Sequence, residues 1–281
     1  AITVKDLTFA YDGRKDHPVL RNFNLELSRG SRCLLIGQNG AGKSTLLRVL
    51  GGRHLAKPDE AVTILGRNAF RDTKLNMVRS YLDMDWGLRT VSFAGYGVPL
   101  QADIAVKNMM SALQAAQHPE RRDKLVEMLG VDPEWRMHQV SDGQRRRVQL
   151  LLGLVRPFDI LLLDEITTSL DVVVRQDLLR RRESAERGAT IVYATHIFDG
   201  LDDWPTHLVY LTAAGGTGWQ GRLEDLDLIR QFREAGDSSP LLRVACHWLR
   251  NELDAQRREK RREKAGGALA HDDGNELRKP Y

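Results

Sequence analysis

Cysteine is scarce in this sequence, which has two such residues, Cys33 and Cys246, among 281. Two thiols provide no disulfide framework, and this usage is typical of proteins from reducing compartments. Long hydrophobic runs are missing as well, because the longest stretches fall far short of the roughly 20 residues that cross a bilayer. The first residues lack the basic and apolar regions of a secretory signal. We therefore expect a cytoplasmic protein without a transmembrane segment and leave a nuclear location open.

The sequence also lacks a strong excess of charge of one sign. It has 42 Lys and Arg residues against 38 Asp and Glu residues, a surplus of four. So small a surplus gives no reason to expect direct binding to nucleic acid. The hydrophobic share of 42% and the charged share of 28% are close to globular averages and exclude a disordered chain.

Two kinds of hydrophobic pattern predict two kinds of strand. Apolar residues alternate with polar ones between Ile2 and Phe9, which is typical of half-buried strands. Three apolar runs, at 33–37, 160–163 and 190–196, are typical of strands buried on both faces of a parallel sheet. Helical patterns follow these runs, so we predict an α/β fold whose ligands gather at the carboxyl ends of the strands.

The pattern becomes helical between about residues 84 and 157, where apolar residues recur three to four positions apart. We predict an inserted helical subdomain there, within a main domain of residues 1–237. Residues 238–281 are predicted to form a C-terminal helix and a flexible charged tail. The residues that follow helical spacing in this last part are Leu242, Ala245, Leu249 and Leu253.

The tail contains a charge run from Arg257 to Lys264. A nuclear-localisation or RNA-contacting patch is one interpretation. Glu259 and Glu263 interrupt the positive charge, however, which favours a solvated helix. The apolar residues of this part either dock a partner or pack back on the main domain.

The segment GQNGAGKS follows the first continuous run and opens a helical pattern, which is the context that a phosphate-binding loop requires. Its glycines let backbone amides turn toward phosphates, and the helix N-terminus favours anions. Lys43 supplies a positive charge, and Ser44 offers a hydroxyl to magnesium. A chance glycine-rich turn is the alternative, and the strand and helix on either side argue against it. The predicted nucleotide-binding residues here are Gly37, Gln38, Asn39, Gly40, Ala41, Gly42, Lys43, Ser44 and Thr45.

Two carboxylates, Asp164 and Glu165, end the second continuous run. We predict that Asp164 holds magnesium through water and that Glu165 polarises the attacking water. An ordinary acidic pair at a strand end is the alternative. The phosphate-binding loop earlier in the chain favours the metal role.

Between these two motifs lies VSDGQRRRVQL, residues 140–150. With this segment in this order, the sequence resembles the ATP-binding cassette (ABC) family, whose signature segment stands at the same place. The resemblance covers about residues 2–235 and implies a P-loop NTPase fold. That α/β fold has an antiparallel β subdomain, a parallel-sheet core and an inserted helical subdomain, to which this chain adds its C-terminal helical extension. The resemblance also implies ATP and Mg²⁺ as ligands and a homodimer that forms through ATP.

In that family, the signature segment begins a helix whose N-terminus covers the γ-phosphate bound by the other copy. Ser141, Gly143 and Gln144 match its pattern. Asp142 replaces a common glycine, and we expect its side chain to cap the helix. Taken alone, the segment also fits a polar turn before an apolar helix.

Three further positions match the family. Asp171 resembles a residue of the loop that crosses the dimer interface. His196 resembles the switch histidine that contacts the γ-phosphate and, with Glu165, completes the implied catalytic pair; an ordinary loop histidine is the alternative. Tyr11 resembles the aromatic residue that stacks on adenine, with a surface or core tyrosine as the alternative.

One family element is missing at its expected place. Members that drive transport carry a glutamine after the strand that TVSFAG represents here, and this sequence continues with residues 96–99 instead. Gln101 is the candidate substitute, at poor spacing. The departure puts coupling to a membrane partner in question.

Within the family, the motifs and the C-terminal extension are similar to a soluble branch. That branch contains plant subfamily I members and a yeast accessory ATPase of the carbon-catabolite-repression and Not deadenylase complex. The similarity implies an ATPase that regulates a protein complex in transcription or mRNA metabolism. The alternatives are a detached ATPase subunit of a multi-chain transporter and an ATP-binding scaffold that barely hydrolyses.

Overall fold

A computed structural model describes residues 1–12, 16–84, 86, 90–93, 96–99, 103–166, 170, 174–175 and 188–270, with backbone alone for 90–93, 96–99 and 263–270. The strands are β1 (Ile2–Phe9), β2 (Leu20–Leu27), β3 (Arg32–Gly37), β4 (Val62–Ile64), β5 (Arg67–Asn68), β6 (Arg79–Leu82), β7 (Thr90–Phe93), β8 (Tyr96–Pro99), β9 (Ile160–Asp164), β10 (Thr190–Ala194), β11 (His207–Leu211) and β12 (Thr217–Arg222). The helices are α1 (Lys43–Leu50), α2 (Val106–Ala112), α3 (Pro119–Leu129), α4 (Asp142–Leu154), α5 (Asp227–Glu234) and α6 (Pro240–Ala270).

The alternating pattern at the start of the chain forms an antiparallel sheet in the order β2-β1-β4-β5. Ile2 pairs with Leu27 on one side and with Ile64 on the other. The apolar side chains of β1 are buried, as the pattern predicts. This confirms the antiparallel β subdomain.

The three continuous apolar runs lie in a six-stranded sheet with the order β12-β11-β3-β10-β9-β6. All neighbouring strands are parallel except β12, which pairs antiparallel with β11. Every residue of β9 and β10 is buried, as expected for strands covered on both faces. Because β3, β9 and β10 run in the same direction, their last residues lie at the same edge of the sheet. These residues are Gly37, Asp164 and Ala194.

Helices α2, α3 and α4 lie between β8 and β9 in the sequence, where the amphipathic pattern predicts them. Their buried residues belong to one hydrophobic cluster with the face of the central sheet that carries Leu34 and Leu163. The division of the chain at residues 84, 157 and 237 remains a prediction.

The described part of the expected strand at TVSFAG, Thr90–Phe93, is not part of the central sheet. Thr90–Phe93 pairs with Tyr96–Pro99 in a separate two-stranded sheet. The sheet strand that precedes the helices is β6, which runs parallel to β9 and ends at Leu82. The position just after that strand is Asp83. Gln101 lies outside the described residues.

Helix α6 packs back on the main domain through its first half. Leu241, Val244 and Ala245 are buried, and the Trp248 ring stacks on Tyr210 with centroids 4.9 Å apart. Beyond Glu252 the described side chains are mostly exposed to solvent. Within the described part of the chain, none of the helices combines the length and the apolar character needed to span a bilayer.

Candidate nucleotide-binding site

The phosphate-binding loop connects β3 to α1, as its sequence context predicts. Lys43 is 6% exposed, and its Nζ donates hydrogen bonds to the carbonyls of Gly37 at 2.7 Å and Gln38 at 3.0 Å. Burial lowers the pKa of the Lys43 ammonium group, an effect that the charges of Glu165 and Asp164 oppose. The Lys43 side chain thus folds back onto the loop and bonds the two residues at its start.

Two glycines of the loop adopt backbone angles that other residues avoid. Gly40 has φ of 85° and Gly42 has φ of 97°, both in the left-handed region. A Cβ atom on Gly42 would lie 2.9 Å from Leu20 Cδ2, whereas one on Gly40 would meet open space. Gly42 is therefore required by the protein itself, while the surroundings of Gly40 leave room for a ligand.

The hydroxyl of Ser44 donates a 3.0 Å hydrogen bond to Oδ1 of Asp164. Asp164 is 5% exposed, and burial raises the pKa of its carboxyl group against the opposing effect of the Ser44 bond. A hydroxyl and a carboxylate oxygen are hard oxygen ligands of the kind that Mg²⁺ prefers, with substrate phosphates completing its shell. The two residues therefore fit the predicted magnesium site.

Glu165 and His196 meet at the carboxyl ends of the neighbouring strands β9 and β10. Nε2 of His196 lies 3.0 Å from Oε1 of Glu165, and both side chains are about one third exposed. Burial, and after it the charge of Lys43, lowers the pKa of the His196 imidazole, although Glu165 acts in the opposite direction. A neutral imidazole donates its Nε2 hydrogen to the carboxylate and fixes its orientation.

Tyr11 lies beside the phosphate-binding loop. Its hydroxyl is 3.0 Å from Oγ1 of Thr45, and its ring meets His54 edge to face with centroids 5.3 Å apart. Phe9 packs on the same pair, at 5.3 Å from Tyr11 and 5.5 Å from His54. The predicted stacking residue is thus part of an aromatic group in which sequence reasoning missed Phe9 and His54.

The phosphate-binding loop and Glu165 border a cavity of about 180 Å³. Its lining contains none of the signature residues Ser141 to Gln144. A nucleotide in this cavity is therefore left uncovered by the signature segment of the same chain. The lining residues are Val19, Asn39, Gly40, Gly42, Lys43, Ser44, Thr45 and Glu165.

The signature segment forms a capping box at the N-terminus of α4. Ser141 Oγ accepts a hydrogen bond from the Gln144 backbone amide at 3.3 Å, and Gln144 Oε1 accepts one from the Ser141 amide at 2.9 Å. Ser141 is therefore the cap, and our expectation for Asp142 was wrong, because its carboxylate instead pairs with Arg145 at 2.6 Å. A Cβ atom on Gly143 would meet nothing within 4 Å. Asp171 lies outside the described residues.

Two residues near the metal site were missed. The Tyr81 hydroxyl lies 3.5 Å from Oδ2 of Asp164. Asp83 is 3% exposed, and its charge contributes, alongside the larger effect of burial, to the raised pKa of the Asp164 carboxyl group. A local pattern in the sequence gives no signal for either residue, since both become relevant only because β6 pairs with β9.

A phosphate-binding loop after a buried strand, facing a hydroxyl, a carboxylate and a glutamate-histidine pair, defines a nucleoside-triphosphate-binding protein of the P-loop class. A profile described as ABC transporter matches residues 20–168. ABC transporter I family member 20 of Arabidopsis thaliana is 46% identical over 276 residues, which cover 95% of this chain and 81% of that protein. The chain belongs to the ABC ATPase family.

Two other similarities bear on function and fold. CCR4-associated factor 16 of Saccharomyces cerevisiae is 37% identical over 227 residues, which cover 75% of each protein. An ATP-binding subunit of an ABC transporter matches the structure with a TM-score of 0.68 at 24% identity, covering 86% of this chain and 98% of that one. This second likeness confirms the P-loop ABC cassette fold.

Proposed function

We propose that this chain binds MgATP and hydrolyses it to ADP and phosphate in a homodimer that forms through the nucleotide. The Glu165–His196 contact supports this most directly, because it places an oriented carboxylate beside the loop that holds the terminal phosphates. The proposed nucleotide ligands of one copy are residues 37–45 with Tyr11, and those of the other copy are Ser141, Gly143, Gln144 and Asp171.

Ser44 and Asp164 would hold the magnesium ion, which supplies charge neutralisation at the phosphate oxygens. Lys43 contributes a second positive charge at the terminal phosphates. Glu165 accepts a proton from the attacking water, and the Nε2 hydrogen of His196 keeps the carboxylate in place. With its imidazole neutral, His196 can also donate a hydrogen bond to a phosphate oxygen when Glu165 turns to the water.

The dimer follows from the position of the signature segment. Ser141 uses its hydroxyl oxygen as the acceptor for the helix cap, so its hydroxyl hydrogen is available for a phosphate oxygen. The N-terminus of α4 adds the positive end of a helix dipole, which favours an anion. None of these groups borders the cavity of its own chain, which supports the proposal that a second copy supplies them.

For the biological role, we propose that the ATP cycle regulates a protein complex of the deadenylase or transcription-regulator type, in the cytoplasm and also in the nucleus. The yeast relative supports this, since its name describes association with CCR4. Closing with ATP and opening after hydrolysis would change the shape that such a partner meets. The second candidate, the detached ATPase subunit of a transporter, is favoured by the name of the plant relative, an ABC transporter family member.

Two variants test both parts of the proposal. Glu165→Gln keeps a side chain that accepts from His196 but cannot take a proton, so we expect it to bind ATP, to lose about 100-fold or more of the hydrolysis rate and to accumulate as a dimer. Light scattering after size exclusion measures the dimer. Lys43→Ala is the matched control, because it removes the phosphate contact from the same site. A monomeric Glu165→Gln at saturating MgATP contradicts the dimer.

The partner is identified by recovering both variants from the same cells and comparing their bound proteins by mass spectrometry. Deadenylase or transcription-complex subunits bound to Glu165→Gln and missing from Lys43→Ala support the regulatory role. An integral membrane protein with that same preference supports the transporter subunit instead.

A further inference from the structure

Helix α6 has an exposed face beside the one that packs on the main domain. We propose that this face binds an acidic amphipathic helix of a partner protein. Exposed apolar residues of α6 would contact the apolar side of that helix, and a row of arginines would pair with its acidic residues. The inference goes beyond the proposed function, because it concerns a surface of α6 and requires no nucleotide.

One side of α6 is fixed to the main domain. Leu241, Val244 and Ala245 are buried in the hydrophobic cluster that covers the central sheet. Farther along the helix, Glu252 accepts a hydrogen bond from the Tyr210 hydroxyl at 2.8 Å. These residues of α6 recur three to four positions apart or at multiples of that spacing, so they lie on one side of the helix. The main domain therefore covers this side as far as Glu252.

A second apolar row lies next to the buried side. It consists of Leu242, Cys246, Leu249 and Leu253, and we call it the exposed row. Leu242 is 38% exposed and Leu253 is 41% exposed, whereas Leu249 is partly buried and also packs on the hydrophobic cluster. The steps along the row alternate between four and three residues, the spacing at which one helix packs along another. The row is about 17 Å long, at 1.5 Å per residue, and fits a partner helix.

A row of arginines borders the exposed row. Arg243, Arg250 and Arg257 are spaced seven residues apart, and we call them the arginine row. In a seven-residue repeat, this position beside the apolar residues selects the partner by charge. Arg243 pairs with Asp237 at 2.8 Å and Arg257 approaches Asp254 at 3.7 Å, while Arg250 forms no ion pair with any residue that the structure describes. All three arginines are exposed, and acidic residues of a partner would complement them.

The charge run that follows extends this basic surface. Glu259 interrupts the run in the sequence, but it lies seven residues after Glu252 and therefore on the side of α6 that is turned to the main domain. Arg257 and Arg261 are each two positions from Glu259, which places them on nearly the opposite side of the helix. Both arginines are exposed. The glutamate thus leaves the outward side of the helix basic.

A second copy of α6 and an RNA backbone match this face less well. Two antiparallel copies would bring their arginine rows together, where like charges repel. Two parallel copies would bring each arginine row toward Glu252, which already bonds Tyr210 on the covered side. An RNA backbone would match the arginines but would give Leu242 and Leu253 no apolar partner. An acidic amphipathic helix complements both rows.

A synthetic peptide tests the face on the full chain in the absence of nucleotide. The probe is a labelled peptide of about 21 residues in seven-residue repeats, with Leu at both apolar positions and Glu at both flanking positions. Fluorescence anisotropy measures its affinity. We expect it to bind and to bind more weakly at high salt, because salt screens exposed charges.

Two peptides of the same length are the controls for the probe. One has Lys in place of Glu, and the other has Ala in place of Leu. We expect each to bind at least about 10-fold more weakly than the probe, since one repels the arginine row and the other lacks apolar surface for the exposed row. Equal binding of the alanine peptide would show recognition by charge alone and would overturn the inference.

Reversing two charges of the arginine row should reverse the preference between peptides. We expect Arg250→Glu with Arg257→Glu to weaken binding of the glutamate peptide about 10-fold or more and to strengthen binding of the lysine peptide. The matched control is Lys107→Glu with Lys124→Glu, which makes the same change in net charge at exposed positions of α2 and α3. It should bind both peptides like the wild type. An unchanged preference in the Arg250 and Arg257 variant contradicts the role of the arginine row.

The exposed row is tested separately by Leu242→Ala with Leu253→Ala. Both side chains are well exposed, so we expect the melting temperature to stay close to that of the wild type. The affinity for the glutamate peptide should fall about 10-fold, because the peptide loses its apolar contacts. An unchanged affinity contradicts the role of the exposed row.

A photoreactive residue in place of Leu253 identifies what covers the face in cells. A cross-link to an acidic amphipathic segment of another protein supports the inference. A cross-link to a second copy of this chain, to RNA or to a segment without acidic residues overturns it, as does the absence of any cross-link. Because none of these measurements uses ATP, they can fail while Glu165→Gln still dimerises with MgATP, and the reverse also holds.

Discussion

Nε2 of His196 and Oε1 of Glu165 lie 3.0 Å apart, although the two residues follow different strands. The contact exists because β9 and β10 are parallel neighbours, with Asp164 opposite Ala194 at their ends. Glu165 adds a local constraint of its own, since its φ of 52° lies in the left-handed region and its amide donates to the Ala194 carbonyl at 3.0 Å. The pairing of β9 with β10 therefore brings Glu165 and His196 together, and the left-handed backbone at Glu165 sets the direction of its carboxylate.

The lowered pKa of His196 gives a testable pH dependence. Protonation would convert the neutral imidazole to its charged form, and burial lowers the pKa of this imidazole below its ordinary value of 6.5. Since kcat/KM reports on groups of the free enzyme, we expect the part of its acid limb that depends on His196 to lie below pH 6.5. The measurement is the pH profile of kcat/KM for the wild type and for His196→Gln, in which this limb should disappear. A His196-dependent limb at pH 7 or above (roughly half a unit or more over the ordinary value) would contradict a neutral imidazole.

The left-handed backbone at Glu165 predicts an unusual order of stability. A residue with a Cβ atom in this region lowers the free energy of unfolding by about 1 kcal/mol or more, and glycine does not. We expect Glu165→Gly to be more stable than Glu165→Ala by about 1 kcal/mol in denaturant unfolding, with both inactive. Lys124→Gly and Lys124→Ala, in the exposed middle of α3, are the control and should show the opposite order. Equal stability of the two Glu165 variants would mean that the turn relaxes at no cost.

Sequence patterns were sufficient for the parts of the fold whose signal is local. The alternation in β1 and the continuous runs of β3, β9 and β10 record how many faces of each strand are buried. The phosphate-binding loop could be predicted for the same reason, because its glycines, lysine and serine are neighbours in the chain. These elements carry most of the candidate site.

The parts that could not be predicted depend on pairing over long distances. Strand β6 is an edge strand, so it needs no continuous apolar run, and its sequence RSYL gives a weak signal. The segment TVSF has a better strand pattern, and within the described residues it pairs with Tyr96–Pro99 in a separate hairpin. The contact between Tyr81 and Asp164 could not be predicted for this reason, because it depends on the pairing of β6 with β9.

Gly143 allows the dimer to be tested without disturbing the single chain. Because a side chain at this position meets open space and a carboxylate is favourable in the first turn of a helix, we expect Gly143→Asp to fold at least as stably as the wild type. The same charge would repel a phosphate of the partner's nucleotide, so ATP-dependent dimer formation and hydrolysis should fall at least about 100-fold. Thermal melting and light scattering measure the two effects. Gly143→Asn, which has the same shape without the charge, separates repulsion from crowding; full dimer formation by Gly143→Asp would show that α4 does not approach the phosphate.

Because only the first half of helix α6 packs on the main domain, we expect two truncations of the C-terminus to differ in stability. Ending the chain at Asp237 removes Leu241, Val244 and Trp248 from the hydrophobic core, and each lost large side chain costs roughly 2–5 kcal/mol. The sum approaches the whole stability of an ordinary domain, so we expect this truncation to unfold or to melt far below the full chain. Ending at Leu253 keeps the Trp248 stack and the 2.8 Å hydrogen bond from Tyr210 to Glu252, so its melting temperature should match the full chain. Any test of partner docking by the charged segment must therefore use the truncation at Leu253. A stably folded truncation at Asp237 would contradict this prediction, because it would show that the main domain folds without α6.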